Sequence, residues 1–230
     1  MRTGSRRYSI SSSKEEERMN RSKFAVIILA GGLSTRFPGN KMLHLVGGKP
    51  LIVHTVEKFI SAGMDKIVVV LGKDAPRVFE ALASGISGEE LSKLFFTFNL
   101  NYAAGGMSSS IKTGMKIVLP DENVVIHPAD VPFLKPSSIE KVVQSHVSSD
   151  LPITVACYNG RHAHPILFKP EMREELMGIT EEGRGLKSIV GKYRDKILCV
   201  ETGDPGTLRD IDTPEDLESA LKSFGSEMGQ

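Results

Sequence analysis

The sequence predicts an α/β fold, a three-layer α/β/α sandwich around a mostly parallel sheet. Three observations lead there. First, short β-branched and aromatic runs recur along the chain: "FAVIILA" from Phe24, "KIVVVL" from Lys66, "LFFTF" from Leu94, "NVVIH" from Asn123, "ITVAC" from Ile153 and "KILCV" from Lys196. They are near-continuous in apolar character, as strands covered on both faces are. Second, segments of helical period lie between them. Ile111, Met115, Val118 and Leu119 share one face after the serines, and Ile139, Val142, Val143 and Val147 share another after Pro136. Third, strand and helix alternate, which calls for an open parallel sheet with right-handed crossovers.

The 230 residues suit one domain with a real core, and a hydrophobic content of 40% is ordinary for one. A net charge of +1 points to neither a nucleic-acid nor a membrane surface, and no apolar stretch is long enough to span a bilayer. A single domain is expected over residues 23–222, with no internal repeat and no linker. Residues 1–22 are rich in Ser, Arg and Glu and have little to bury, so a disordered polar tail is expected, with a second tail over 223–230. The first segment lacks the apolar core of a secretory signal, and Met19 offers an alternative start. Cys157 and Cys199 lie far apart in apolar runs; buried thiols in a reducing, cytoplasmic compartment are expected rather than a disulfide or a zinc site.

Ligands of such sheets bind at the carboxyl ends of strands, so the residues after each run matter most. The first run ends in "LAGGLSTRFPGNKML". Leu29 and Ala30 lead into Gly31 and Gly32, which let backbone approach a ligand and expose amides to phosphate oxygens. Arg36 can grip phosphate with its planar fork, and Lys41 adds a compact charge. A tight strand-to-helix turn with surface cations is the alternative. Neither the G-x-x-x-x-G-K-[ST] loop nor the G-x-G-x-x-G fingerprint is present.

After the third run come Asn99 and "GGMSSS", whose serines would cap a helix and offer hydroxyls to a ligand. A serine nucleophile would need a G-x-S-x-G elbow, which is absent here. After the fourth run, Asp130 stands in "PADVP". A carboxylate there can hold Mg²⁺ together with substrate phosphates, or cap its own turn. After the fifth come His162 and His164, which would share a face of a strand and better suit substrate contact than zinc. Near the end, "RDIDTPEDL" supplies Asp210 and Asp212 before a helix start in which Thr213 caps and Asp216 completes a capping-box-like pair.

Taken together, these motifs resemble the molybdenum-cofactor nucleotidyltransferases, the MobA/MocA-like group of the GT-A-like, Rossmann-like nucleotidyltransferase fold. The resemblance runs from about Lys23 to Leu221. "LAGGLSTRFPGNKML" is similar to the family's LA[AG]G-x-S-x-R-x-G-x-x-K loop, and "GGKPLIVHTV" to the G-K-P-L-L segment after it. "NLNYAAGGMSSSIKTG" resembles a segment of the cytidylyltransferase branch. "HPADVPFL" stands where the metal-binding D-x-P would be, "HAHPILF" where G-H-P-x-x-F would be, and "DIDTPEDL" is close to the family's ending.

The resemblance implies a Mg²⁺-dependent transfer of a nucleoside monophosphate, CMP from CTP by the likeness to the cytidylyltransferase branch, to a phosphorylated acceptor such as molybdopterin, with release of pyrophosphate. It implies that Gly31, Gly32, Arg36 and Lys41 hold the triphosphate. Asp130, with Asp210 or Asp212, would hold Mg²⁺. Asn99, Gly106, Met107, Ser109 and Ser110 would lie near base and ribose, and His164 would face the acceptor. A molybdoenzyme would be a natural partner. The double glycine is nearer the guanylyl branch, "AAGGM" carries one extra residue, Ala163 replaces a glycine, and G-D-x-G-x-R reads "EEGRG" here. GTP as donor and a sugar or polyol phosphate as acceptor therefore stay open. So does a different class, a nucleotide-binding module without turnover.

Overall fold

The computed structural model describes residues 23–224. The expected tail over 1–22 and the last six residues, 225–230, lie outside the described residues. The last described helix runs to Phe224, two residues past the expected boundary at 222, and the Phe224 ring stacks on Phe133 with centroids 5.3 Å apart.

Among the described residues, seven strands form one sheet: β1 (Phe24–Ala30), β4 (Ile67–Leu71), β5 (Leu94–Phe98), β6 (Asn123–Pro128), β7 (Ile153–Tyr158), β8 (Arg161–Phe168) and β9 (Ile197–Glu201). Their order is β5-β4-β1-β6-β8-β7-β9. A small hairpin, β2 (Leu45–Val46) with β3 (Lys49–Pro50), stands apart. Only β8 runs against its neighbours within the large sheet, so the sheet is mostly parallel. The six expected runs are all strands. The seventh, β8, is not among the six apolar runs, because its first half, "RHAH", is polar; it is the strand on which His162 and His164 lie.

Both faces of the sheet are covered, as the apolar strands require. Phe24, Val26, Ile28 and Ala30 of β1 face one core, shared with α1 (Leu51–Ser61), α2 (Ala75–Gly85), α5 (Pro136–Ser148) and α8 (Pro214–Phe224). Ala25 and Ile27 face the other, shared with α4 (Gly106–Met115), α6 (Arg173–Gly178) and α7 (Leu186–Lys192); α3 (Gly88–Leu91) is a single turn. Two helical expectations need correction. Leu119 is 55% exposed, because α4 ends at Met115 and the next residues turn. Val147 is 44% exposed, and the buried position on α5 belongs to His146, bonded to Thr154 and Asn123.

The cysteine expectation is also corrected. Cys157 and Cys199 form a disulfide. β7 and β9, 42 residues apart at these positions, pair in parallel with Val155 opposite Cys199, which puts the two cysteine Cα atoms 5.7 Å apart. Distance along the chain concealed this adjacency. Among the described residues no helix is long and apolar enough to cross a membrane.

Candidate active site

The carboxyl ends of β4, β1 and β6 lie side by side, and the neighbours of β1 leave it on opposite sides. This is the switch point at which open α/β sheets bind ligands. A cleft of about 870 Å³ opens there. Leu29, Ala30, Gly31, Gly32, Arg36 and Lys41 line it from β1 and its loop. Gly106, Met107 and Ser110 line it from α4, Asp130 from the end of β6, His162 and His164 from β8, and Asp210 and Asp212 from the segment before α8.

The loop after β1 is held at several points. Phe37 and Met42 are buried in the core, Ser34 O accepts from Phe37 N at 3.1 Å, and Asn40 Oδ1 accepts from Met42 N at 3.0 Å. Gly31 leaves little room: a Cβ there would sit 3.3 Å from Ser110 Oγ and 3.6 Å from Gly72 N. A Cβ at Gly32 would meet nothing within 4 Å, so that glycine keeps the cleft open rather than relieving a clash. Neither residue has positive φ. Gly72, at the end of β4, was not singled out from the sequence. A Cβ on it would lie 2.5 Å from Gly31 O, so its bare backbone supports the loop from below.

Lys41 is the hub. Its Nζ donates to Asp130 Oδ2 at 2.6 Å, to Ile211 O at 2.8 Å and to Asp212 Oδ1 at 3.2 Å. Arg36 Nη2 reaches the other oxygen of Asp212 at 2.7 Å. The lysine side chain is only 10% exposed, whereas Asp130 and Asp212 keep 24% and 28%. A buried ammonium is tolerable only with such pairing. Asp210 lines the cleft but is not among the partners of Lys41.

The turn that carries Asp130 is fixed through its backbone. Ala129 N donates to Leu29 O at 3.1 Å, and Thr55 Oγ1 of α1 donates to Ala129 O at 2.8 Å. Ile211 N donates to Asp130 O at 2.8 Å, and His127 Nε2 lies 2.9 Å from Val131 O. Thr55 and His127 were not identified from the sequence. A conspicuous clue was available for His127, a histidine inside an otherwise apolar strand.

His127 and His164 meet edge to face, with centroids 6.0 Å apart. Burial pushes His127 down to about 3; the neighbouring His164 pushes the same way, and the bond to Val131 opposes both. Burial lowers His164 to about 4 against the pull of the Asp130 carboxylate. Both rings are neutral at pH 7. The Nδ1 of His164 is buried without a partner among the described residues, and the residue lines the cleft.

Asn99 and Ser109 stand outside the lining. Asn99 is buried, and its Nδ2 donates to Ser109 Oγ at 2.7 Å and Ser110 Oγ at 3.0 Å. It braces the start of α4 from beneath. The serines do not cap that helix as expected. Gly105 is the cap residue, and the carboxylate of Glu181 accepts from Ser108 N at 2.5 Å, supplying the anion that a helix amino end favours. The expected capping pair at α8 is present: Asp216 N donates to Thr213 Oγ1 at 3.1 Å, and Thr213 N donates to Asp216 Oδ2 at 2.8 Å.

Residues 26–197 match the family model of the MobA-like NTP transferase domain. The chain belongs to the MobA-like NTP transferase family. Members are nucleotidyltransferases. The probable molybdenum cofactor guanylyltransferase of Thermococcus sibiricus is 27% identical over 160 residues, which cover 68% of this chain and 74% of that one. The bifunctional protein GlmU of Syntrophomonas wolfei is 28% identical over 139 residues, covering 60% of this chain; the match spans only 29% of that relative's length. Among solved structures, a nucleotidyl transferase from Methanothermobacter thermautotroptrophicus superposes with a TM-score of 0.74 at 20% identity, covering 89% of this chain and 99% of that one. The MobA-like transferase fold is thus the Rossmann-like nucleotidyltransferase fold that the sequence predicts.

Proposed function

We propose that this MobA-like transferase moves a nucleoside monophosphate from a nucleoside triphosphate to a phosphorylated acceptor and releases pyrophosphate. One observation carries the reading. The Lys41 ammonium gathers two carboxylates from distant segments at the mouth of a glycine-lined cleft. A plain turn has no need of such a cluster.

The donor set suits Mg²⁺. Asp130 and Asp212 converge on one ammonium and are partly open to the cleft. Among the described residues no third His, Cys, Asp or Glu joins them in a metal-binding group. Mg²⁺ works with one or two carboxylates plus substrate phosphates and waters, so two are enough. Asp130 and Asp212 would hold it, with Asp210 nearby on the cleft wall. When bound, it would neutralise α-phosphate charge and stabilise the departing pyrophosphate.

The protein's own groups account for the rest. Gly32 is exposed and the buried Gly31 lines the cleft beside it, so side-chain-free backbone gives phosphates close access there, and Arg36 and Lys41 supply positive charge where charge develops. A phosphate monoester acceptor is largely dianionic at pH 7, so no protein base is needed to make it a nucleophile. Positioning for in-line attack is the remaining requirement. His164, neutral and with an unpartnered Nδ1, offers the acceptor a hydrogen bond.

CTP is the first candidate donor, on the Gly106–Met107–Ser segment at the amino end of α4. GTP is the second, favoured by Gly31–Gly32 and by the guanylyltransferase relative. Molybdopterin is the proposed acceptor, and a molybdoenzyme the proposed recipient of the product. The cytoplasm, where nucleoside triphosphates are made and used, is the proposed site of action; the cysteines no longer support it. Thermal unfolding with each triphosphate and Mg²⁺ tests the donor, because ligand binding to the native state raises the apparent melting temperature. Protection by one triphosphate, followed by pyrophosphate release with acceptor, is expected. Protection without release from any acceptor would identify a binding module instead. The absence of protection by every triphosphate would reject the reading.

A further inference from the structure

The two cations of the β1 loop are already committed. Lys41 is shared between Asp130 and Asp212, and Arg36 is bound to Asp212. Two other cations line the cleft, Arg161 and Lys187. Neither side chain has a hydrogen-bond or carboxylate partner among the described residues. Both are held out by a built framework. Arg161 follows the turn at Asn159 and Gly160, whose amides donate to the Glu201 carboxylate at 2.6 and 3.1 Å. Lys187 stands at the second position of α7, between the core residues Leu186 and Ile189. The loop before α7 is closed by Gly185 N on Thr180 O at 2.8 Å and is tied to α4 by Glu181.

The same wall carries a second feature that asks for a ligand. His164 Nδ1 is buried, unpartnered and part of the cleft lining. Two uncommitted cations and a neutral hydrogen-bonding ring therefore border one space, and the Asp130–Lys41 cluster borders it too. Cations without partners attract an anion, and phosphate is the anion whose charge and oxygen count suit an arginine fork with a lysine point charge.

We propose that Arg161 and Lys187 form the subsite that holds the acceptor by its phosphate monoester, separate from the cations that meet the triphosphate. This rests on the transferase reading. It makes the two residues determinants of acceptor specificity: a neutral acceptor would leave both cations unmatched.

The test uses inorganic phosphate as probe, followed by calorimetry and by phosphorus NMR. It is titrated into the full chain alone, and into the chain with Mg²⁺ and the triphosphate that protects best. The parent is compared with the double variant R161Q/K187Q and with the charge-keeping R161K/K187R. Both positions are exposed, so melting temperatures should match the parent. The expected result is phosphate binding by the parent, weakened ten-fold or more in R161Q/K187Q and largely kept in R161K/K187R. Triphosphate affinity should change less than two-fold. Equal phosphate affinity in parent and double variant would overturn the subsite, as would absence of phosphate binding to the parent. Parallel loss of phosphate and triphosphate affinity would also overturn it, assigning the cations to the donor. Failure of every triphosphate to protect would reject the transferase reading, while the titration of the free chain would still decide whether the subsite exists.

Discussion

Lys41 Nζ and Asp130 Oδ2 lie 2.6 Å apart although 89 residues separate them in the sequence. The contact joins the loop after β1 to the turn after β6, and Asp212 joins from a third segment at 3.2 Å. Charge, fold and proposed chemistry meet in this one ammonium.

Lys41→Met should therefore cost stability as well as binding. Removing the cation leaves two partly buried carboxylates facing each other, at a cost of about 3 kcal/mol. A divalent cation can replace the lost charge, so millimolar Mg²⁺ should recover part of the melting temperature. The same Mg²⁺ should do little for a Lys41→Met/Asp130→Asn double variant. A single variant as stable as the parent, or one indifferent to Mg²⁺, would dissociate Lys41 from the carboxylate pair.

The glycines under the cleft should separate folding from binding. Gly32→Val has room for its side chain and normal φ, so its melting temperature should stay within a few degrees of the parent's. Its triphosphate affinity should fall at least ten-fold, because the branched chain fills the approach. Gly72→Ala should do the reverse in order of severity. Its Cβ would collide with Gly31 O and Cα at 2.5 and 2.7 Å, costing about 1–3 kcal/mol before any ligand is added. Calorimetric titration beside thermal unfolding checks both; equal behaviour of the two variants would contradict it.

Stability should fall on mild acidification through histidines far from the cleft as well as near it. Burial lowers His146 to about 4 from its usual 6.5, and the Lys169 charge adds to the effect. The unfolded chain takes up the proton first as pH drops. The contribution is thus complete above about pH 6.5 and is lost progressively down to about pH 4, on the order of 3 kcal/mol at most. His146→Gln should flatten the pH dependence of the melting temperature over that window. Parallel profiles for variant and parent would show that His146 does not drive it.

The Cys157–Cys199 bridge should be visible in the unfolding of the parent. Closing a loop of 42 residues contributes up to about 4 kcal/mol by restricting the unfolded chain. Reducing agent, or Cys199→Ser, should lower the melting temperature by several degrees, and the two treatments together should add nothing further. A parent insensitive to reductant, with two thiols titratable after unfolding, would exclude the bridge.

The parts of this fold written locally were the parts legible in the sequence. β1 and its loop stand out because an apolar run ends at two glycines and two cations follow within ten residues. The pair at Thr213 and Asp216 was legible because a capping box is complete within four positions. β8 does not stand out as an apolar run because its first half is polar, although Asn159–Gly160, with φ of 51° and 70°, is a strong hairpin signal. Asp210 and Asp212 could not be separated, since only the fold decides which carboxylate reaches Lys41. Thr55 and His127 act on backbone carbonyls of another segment or across a turn, and residue type alone does not announce that.

Ile211 gives the site an order of assembly. Its N–H holds the carbonyl of Asp130, and its own carbonyl holds Lys41 Nζ, 170 residues upstream. A ribosome releases Lys41 and Asp130 long before it releases this residue. Until then the nascent chain can build most of the sheet, but it has an ammonium with one carboxylate and an open carbonyl on the Asp130 turn. On the proposed reading, the cluster around Lys41 is complete only once residues 209–212 have returned to the Asp130 turn. A chain stopped just short of them should have most of its core and none of its turnover.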